Sequence, residues 1–215
     1  MVKNIGESNS LLNRFIAELR NVDIQKDRLR FRRNLERIGE IFAYEISKNL
    51  EYSKISVTTP LGISEMLLPA EEPVIATIMR AGLPFHNGLL SFFDNAENAF
   101  ISAYRKYNKD GTFTIQFEHL SAPPIDDKIV ILNDVMLASG SSLVLSYQAL
   151  LGKGIPRHTH MVSIIASKEG ISYIRRHLPM KNITLWVGAI DDELTVKGYI
   201  VPGIGDAGDL AFGDK

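Results

Sequence analysis

The chain has 215 residues, 45% of them hydrophobic, which is enough for one domain with a substantial core. Lysine and arginine number 24 against 25 aspartates and glutamates, so a formal charge of −1 supplies no general pull toward nucleic acid or an anionic membrane. The absence of cysteine excludes disulfides, cysteine nucleophiles and cysteine zinc sites, and with no apolar run of membrane-spanning length it points to a cytoplasmic protein.

In chain order, Asn9 or Ser10 can cap a helix over LLNRFIAELR. Phe31, Leu35, Ile38 and Phe42 then recur at i, i+4, i+7 and i+11, which predicts a long amphipathic helix over about residues 24–50. From residue 74 the period changes. VIATIM, KIVILN, HMVSIIA and ITLWVGAI are short, β-branched and apolar on both faces, the pattern of buried strands. Helix-like segments separate them (LPFHNGLLSFF, SSLVLSYQALL and KEGISYIRRHL), with Gly152, Gly154 and Pro179 as stop signals. Strand alternating with helix predicts an α/β fold with an open, mostly parallel sheet flanked by helices. Residues 103–120, AYRKYNKDGTFTIQFEHL, interrupt the rhythm with a turn signal at 108–111 and read as a projecting hairpin. No repeat, linker or low-complexity tract suggests a boundary, so 1–215 is expected to be a single domain.

Open α/β sheets bind ligands beyond the carboxyl ends of their strands, which singles out Arg80, Asp134, Ser167 and Asp191. The strongest segment is DVMLASGSS at 134–142, where a buried strand delivers an acid and a Ser/Gly loop opens into a helix. Free N–H groups at that helix start, with the hydroxyls of Ser139, Ser141 and Ser142, suit a phosphate monoester, and the carboxylate suits vicinal sugar hydroxyls. The plainer reading makes Ser141 a helix cap and Asp134 a strand end. No Gly-Lys-Ser/Thr follows for a Walker loop, and no Gly-x-Ser-x-Gly for a nucleophile elbow.

DVMLASGSS resembles the phosphoribosyl pyrophosphate (PRPP) signature of type I phosphoribosyltransferases, which in the uracil-specific branch most often reads DPMLATGGS. ATIMRAGL at 76–83 resembles that family's pyrophosphate loop, AYRKYN at 103–108 its flexible arginine hairpin, and GYIVPGIGDAGDLAFG at 198–213 its uracil-binding tail. The resemblance implies a uracil phosphoribosyltransferase, joining uracil to PRPP to give UMP and pyrophosphate in pyrimidine salvage. It implies that Arg80, Arg105, Asp206 and the run Asp134, Val135, Met136, Leu137, Ala138, Ser139, Gly140, Ser141 and Ser142 contact PRPP. Uracil would be read by the backbone around Ile200, Gly205, Asp206 and Ala207, and Asp134, Arg105 and Asp206 would carry the catalytic roles. Arginine forks suit pyrophosphate, and magnesium would arrive with the pyrophosphate rather than in a dedicated protein cage. A homo-oligomer, dimer or larger, is implied, and GTP is admitted as an effector. Val135 stands where the common signature has proline, Ser139 where it has threonine and Ser141 where it has glycine; Ser141 fits only if its φ is negative.

Three features invite other readings. Gly203, Gly205 and Gly208 spell G-x-G-x-x-G, but Pro202 precedes them and too little chain follows for another βαβ unit, so these glycines are expected to supply positive φ and close backbone approach. Lys26, Arg28, Arg30, Arg32, Arg33 and Arg37 make a basic helix that an RNA-binding pyrimidine regulator would use; a solvated or interfacial face is the plainer reading, and the near-neutral charge disfavours nucleic acid. A homologue with reduced turnover is the other rival. His158 and His160 share a strand face without the usual spacing of zinc ligands.

Overall fold

The structure, a computed structural model, describes residues 1–107 and 113–214, with backbone alone for 104–107 and 113–117. The N-terminal part holds β1 (Val2–Asn4), α1 (Leu11–Arg20), α2 (Arg28–Ser47), β2 (Tyr52–Thr59) and β3 (Gly62–Pro69). There follow β4 (Val74–Met79), α3 (Gly82–Leu90), β5 (Glu97–Tyr107), β6 (Phe113–Ser121), β7 (Ile129–Leu137), α4 (Ser141–Leu150), β8 (His158–Ser167), α5 (Lys168–His177) and β9 (Ile183–Asp191). The tail contributes β10 (Glu193–Leu194), β11 (Ile200–Val201) and α6 (Ala207–Phe212).

Seven strands form one open sheet in the order β1-β9-β8-β7-β4-β5-β6. Every neighbouring pair is parallel except β5 with β6. The four apolar runs read as strands are β4, β7, β8 and β9, and they are apolar on both faces because helices cover both. On one face Ile75, Ile131 and Val162 pack with α1, α2 and α3; on the other Val130, Leu132 and Met161 pack with α4 and α5.

Ser10 caps α1, its hydroxyl accepting from the Leu12 N–H at 3.2 Å. The second helix is shorter than the periodicity suggests. Asp27 accepts from the Arg30 N–H at 3.0 Å and fixes the start at Arg28, so residues 24–26 belong to a turn before the helix. The stripe Phe31, Leu35, Ile38 and Phe42 is buried as expected, and Phe42 meets Phe85 of α3 edge-on at 5.4 Å. Each such side chain contributes about 2 kcal/mol of transfer free energy on burial.

The hairpin expected at 103–120 continues the sheet. β5 runs beside β4 from Glu97 to Ser102 and pairs with β6 from Phe100↔Ser121 to Tyr107↔Phe113, with a register shift between Ser102 and Ala103. Its turn signal at 108–111 lies outside the described residues. Several elements had no counterpart in the sequence reading: β1, which pairs with β9, the short β10, β11 and α6 of the tail, and the β2–β3 hairpin, a separate two-stranded sheet with both faces largely exposed. Among the described residues no helix is long and apolar enough to cross a membrane.

Candidate active site

The carboxyl ends of β4 and β7 and the tail after β10 line one cleft of about 400 Å³. β4 and its following turn supply Met79, Arg80 and Ala81; β7 and its loop supply Asp134, Val135, Met136 and Ala138; α4 adds Ser142. The tail wall is formed by Tyr199, Ile200 and residues 205–209. Beneath it Thr77 and Asn133, both fully buried and in register, lock β4 to β7: the threonine hydroxyl donates to Asn133 Oδ1 at 2.9 Å and Asn133 Nδ2 donates to the Ala76 carbonyl at 3.0 Å.

Asp134 was expected just past a strand end, yet it lies inside β7. Pairing with β8 continues from Asp134↔Ser163 to Leu137↔Ala166, so the acid is presented from a rigid strand. Val135 and Leu137 are buried on opposite faces of the sheet, which leaves only their main chain for a ligand. Gly140 has φ +86°, and a Cβ there would come within 2.9 Å of the Gly170 carbonyl oxygen and 3.1 Å of the Tyr173 ring. Ser141 sits one residue on, as the first residue of α4, outside the positive-φ region, so serine in place of glycine carries no backbone strain. Its hydroxyl lies 2.8 Å from that of Ser139. Ser167 does not line the cleft: its buried hydroxyl donates to the Ala138 carbonyl at 2.6 Å and accepts the Gly170 N–H at 2.8 Å, holding the loop from behind.

In the tail, Leu194 pairs with Ile200, and Gly203 and Gly205 take positive φ of +54° and +86°. Gly208 does not. It belongs to α6, where a Cβ would stand 3.2 Å from Asp206 Oδ1, so its role is close packing. The G-x-G-x-x-G does run from a strand into a helix, but β11 belongs to a two-stranded sheet apart from the parallel one and α6 has six residues. Asp206 caps α6, with Oδ1 accepting from the Gly208 and Asp209 N–H groups at 2.9 and 3.1 Å. Arg80 reaches the tail: Nη2 pairs with Asp209 Oδ1 at 2.6 Å and Nη1 donates to the Gly213 carbonyl at 2.9 Å. The Arg105 side chain lies outside the described residues.

The family model described as uracil phosphoribosyltransferase matches residues 7–214. The chain belongs to the uracil phosphoribosyltransferase family. A uracil phosphoribosyltransferase of Porphyromonas gingivalis is 55% identical over 214 residues, covering 100% of this chain and 99% of its own. One of Pyrococcus furiosus is 36% identical over 211 residues, covering 97% of this chain and 88% of its own. Among solved structures, the AQ2163 protein of Aquifex aeolicus superposes with a TM-score of 0.86 at 29% identity, over 99% of this chain and 98% of that one.

In this member of the uracil phosphoribosyltransferase family Lys26, Arg30, Arg32, Arg33 and Arg37 are engaged within the chain. Arg30 forks onto Glu18 at 2.8 and 3.0 Å, Arg33 pairs with Glu36, Lys26 with Asp23, and Arg32 donates to the Ala211 carbonyl at 2.7 Å. Arg37 lies over the Phe15 ring and donates to Asn34. These bonds oppose the regulator reading, which needs a free basic surface. His158 faces Thr184 and His160 accepts the Trp186 indole N–H; among the described residues no group of three or more His, Cys, Asp or Glu forms a metal cage. Asp209, Tyr199 and the Thr77–Asn133 pair were missed by sequence reasoning. A second acid three residues after Asp206 was the available signal for Asp209; a buried polar pair leaves none.

Proposed function

We propose that this chain joins uracil to the ribose of PRPP, releasing pyrophosphate and UMP, in pyrimidine salvage in the cytoplasm. One observation carries the reading: Asp134, Ala138 and Ser142, which flank the Ser/Gly loop after β7, line the same cleft as the glycine-rich tail, and Ser139 and Gly140 line a smaller recess bordered by those same three residues. The main chain of residues 138–142 and the first turn of α4 hold the 5-phosphate, using N–H groups that a helix start leaves without intrahelical partners. Asp134 accepts from the ribose hydroxyls and fixes the ring. Backbone groups of Ile200 and of residues 205–207 read uracil; cytosine would set an amino donor against an N–H donor, a mismatch that supports discrimination of about 10⁴.

Pyrophosphate leaves from C1 as the bond to the uracil ring nitrogen forms and that nitrogen releases its proton, through an oxocarbenium-like state that the cleft shields from water. Asp134 and Asp206 are oxygen donors on the cleft wall, a set that fits the waters of a magnesium ion carried by pyrophosphate. When bound, the ion would offset charge on the leaving group. Arg80 and Arg105 add positive charge, Arg80 from the cleft wall with its Nη1 and Nη2 held by the Gly213 carbonyl and Asp209. Self-association belongs to the same reading: the β2–β3 hairpin exposes Leu61 at its turn and Ile63, Met66 and Leu67 on β3, in a sheet of two strands, and a second copy is the occupant that fits a family of homo-oligomers.

The test is pyrophosphate and nucleotide formation from PRPP and magnesium, with uracil, cytosine, hypoxanthine, adenine and orotate supplied separately, each with and without GTP. UMP should form from uracil alone, and Asp134→Asn should lose about 100-fold in turnover while staying folded. Equal turnover of cytosine, or full activity of the variant, would remove the assignment.

A further inference from the structure

The tail has little regular structure of its own, since β11 is two residues long and α6 six, yet it must present main-chain groups at fixed positions. Its brace lies elsewhere in the chain. Arg20, the last residue of α1, holds both oxygens of Asp191, the last residue of β9: Nη2 donates to Oδ1 at 2.7 Å and Nη1 to Oδ2 at 2.8 Å. Arg20 Nη1 also donates to the Gly203 carbonyl at 3.0 Å, and the Gly203 N–H donates to Asp191 Oδ2 at 2.9 Å. Three residues, 20, 191 and 203, thus close a hydrogen-bonded ring that uses both main-chain polar groups of Gly203.

The Asp191 side chain is 6% exposed and that of Arg20 25%. None of the three lines the cleft, but Ile200 and Gly205, on either side of Gly203, do. Gly203 sits at φ +54°, where a Cβ would collide with the Ile200 carbonyl, so the ring holds in place a backbone turn that packs directly on a cleft-lining residue. A buried ion pair of this kind adds little net stability over apolar packing, and its best-attested use is to fix register.

We infer that Arg20 and Asp191 are positioning residues for the base subsite, acting through Gly203 to set the main-chain groups that read the pyrimidine. The inference rests on the tail being that subsite. Arg20 fits the task because its planar fork holds both carboxylate oxygens and still has a hydrogen for the Gly203 carbonyl; lysine, a point charge, cannot keep all three contacts.

The experiment compares wild type with Arg20→Ala, Arg20→Lys and Asp191→Asn in steady-state kinetics, varying uracil and PRPP separately, and follows amide hydrogen exchange at residues 198–206 without ligand. The KM for uracil should rise about 10-fold or more in Arg20→Ala and Asp191→Asn and less in Arg20→Lys, with the KM for PRPP changing by no more than about 2-fold. Exchange at Gly203 should accelerate in the same order. An unchanged uracil KM, or equal rises for both substrates, overturns the inference. So does unchanged protection of Gly203, a readout that needs no turnover; failure of wild type to make UMP would instead count against the transferase reading and not against the brace. Where Arg20→Ala does not fold, Arg20→Lys carries the comparison.

Discussion

His160 is 3% exposed, and its Nδ1 accepts the Trp186 indole N–H at 3.0 Å with the His158 ring 4.7 Å away. Burial, then the neighbouring His158 and Lys3, pull its pKa from 6.5 down to about 3. The folded protein therefore refuses a proton that the unfolded chain takes up below about pH 6.5, so this contribution to stability is complete above that pH and is lost as pH falls toward 3. Chemical denaturation at pH 7 and pH 5 should show wild type losing about 1–2 kcal/mol more than His160→Asn, whose amide oxygen takes the place of Nδ1 as acceptor for Trp186. Equal losses would show that another group titrates. Asp191 differs: burial acts to raise its pKa, but the hydrogen bonds from Arg20 and from the Gly203 N–H, with the Arg20 charge, outweigh it and hold the carboxyl below its ordinary value. The brace accordingly stays ionised through neutral and mildly acidic pH.

At the scale of elements, the turn from β7 into α4 depends on Gly140, because its φ of +86° and the nearby Gly170 carbonyl both oppose a side chain. Gly140→Ala should destabilise the fold by about 1–2 kcal/mol and raise the KM for PRPP more than that for uracil, read by urea melts and substrate titrations. A variant with unaltered stability and PRPP affinity would mean that the loop adopts another path without loss. This loop was legible in DVMLASGSS because its chemistry is local: strand, acid, glycine and helix start follow one another. The four central strands were legible for the same reason, as unbroken apolar runs. β1 was not, since three residues carry no period and the strand exists only against Leu185, Trp186 and Val187. The β2–β3 hairpin was missed because its apolar residues fall on both faces and no core orients them. Arg20 gave no local sign, its partners being 171 and 183 residues away, and the start of α2 was set by the Asp27 side chain where hydrophobic spacing ran on.

For the whole molecule, the β2–β3 hairpin makes the sharpest prediction. Two strands alone are marginal in water, and eight paired positions with Ile63 75% and Leu67 64% exposed call for a covering surface. Light scattering should give at least twice the chain mass, and Ile63→Asp with Leu67→Asp should reduce it to one chain; a wild type that runs as a single chain at micromolar concentration would refute self-association. The N-terminal helices also tie down the other end of the chain, through Arg20 to Gly203 and Arg32 to Ala211, while β1 completes the sheet edge against β9. This circularity has a consequence in time. A chain leaving the ribosome exposes α1 and α2 long before residues 185–211 exist, so its first segments wait for its last ones. The central strands can pair during synthesis, but the cleft gains its second wall only when the final stretch has emerged, and an interrupted chain carries the Ser/Gly loop facing an open side.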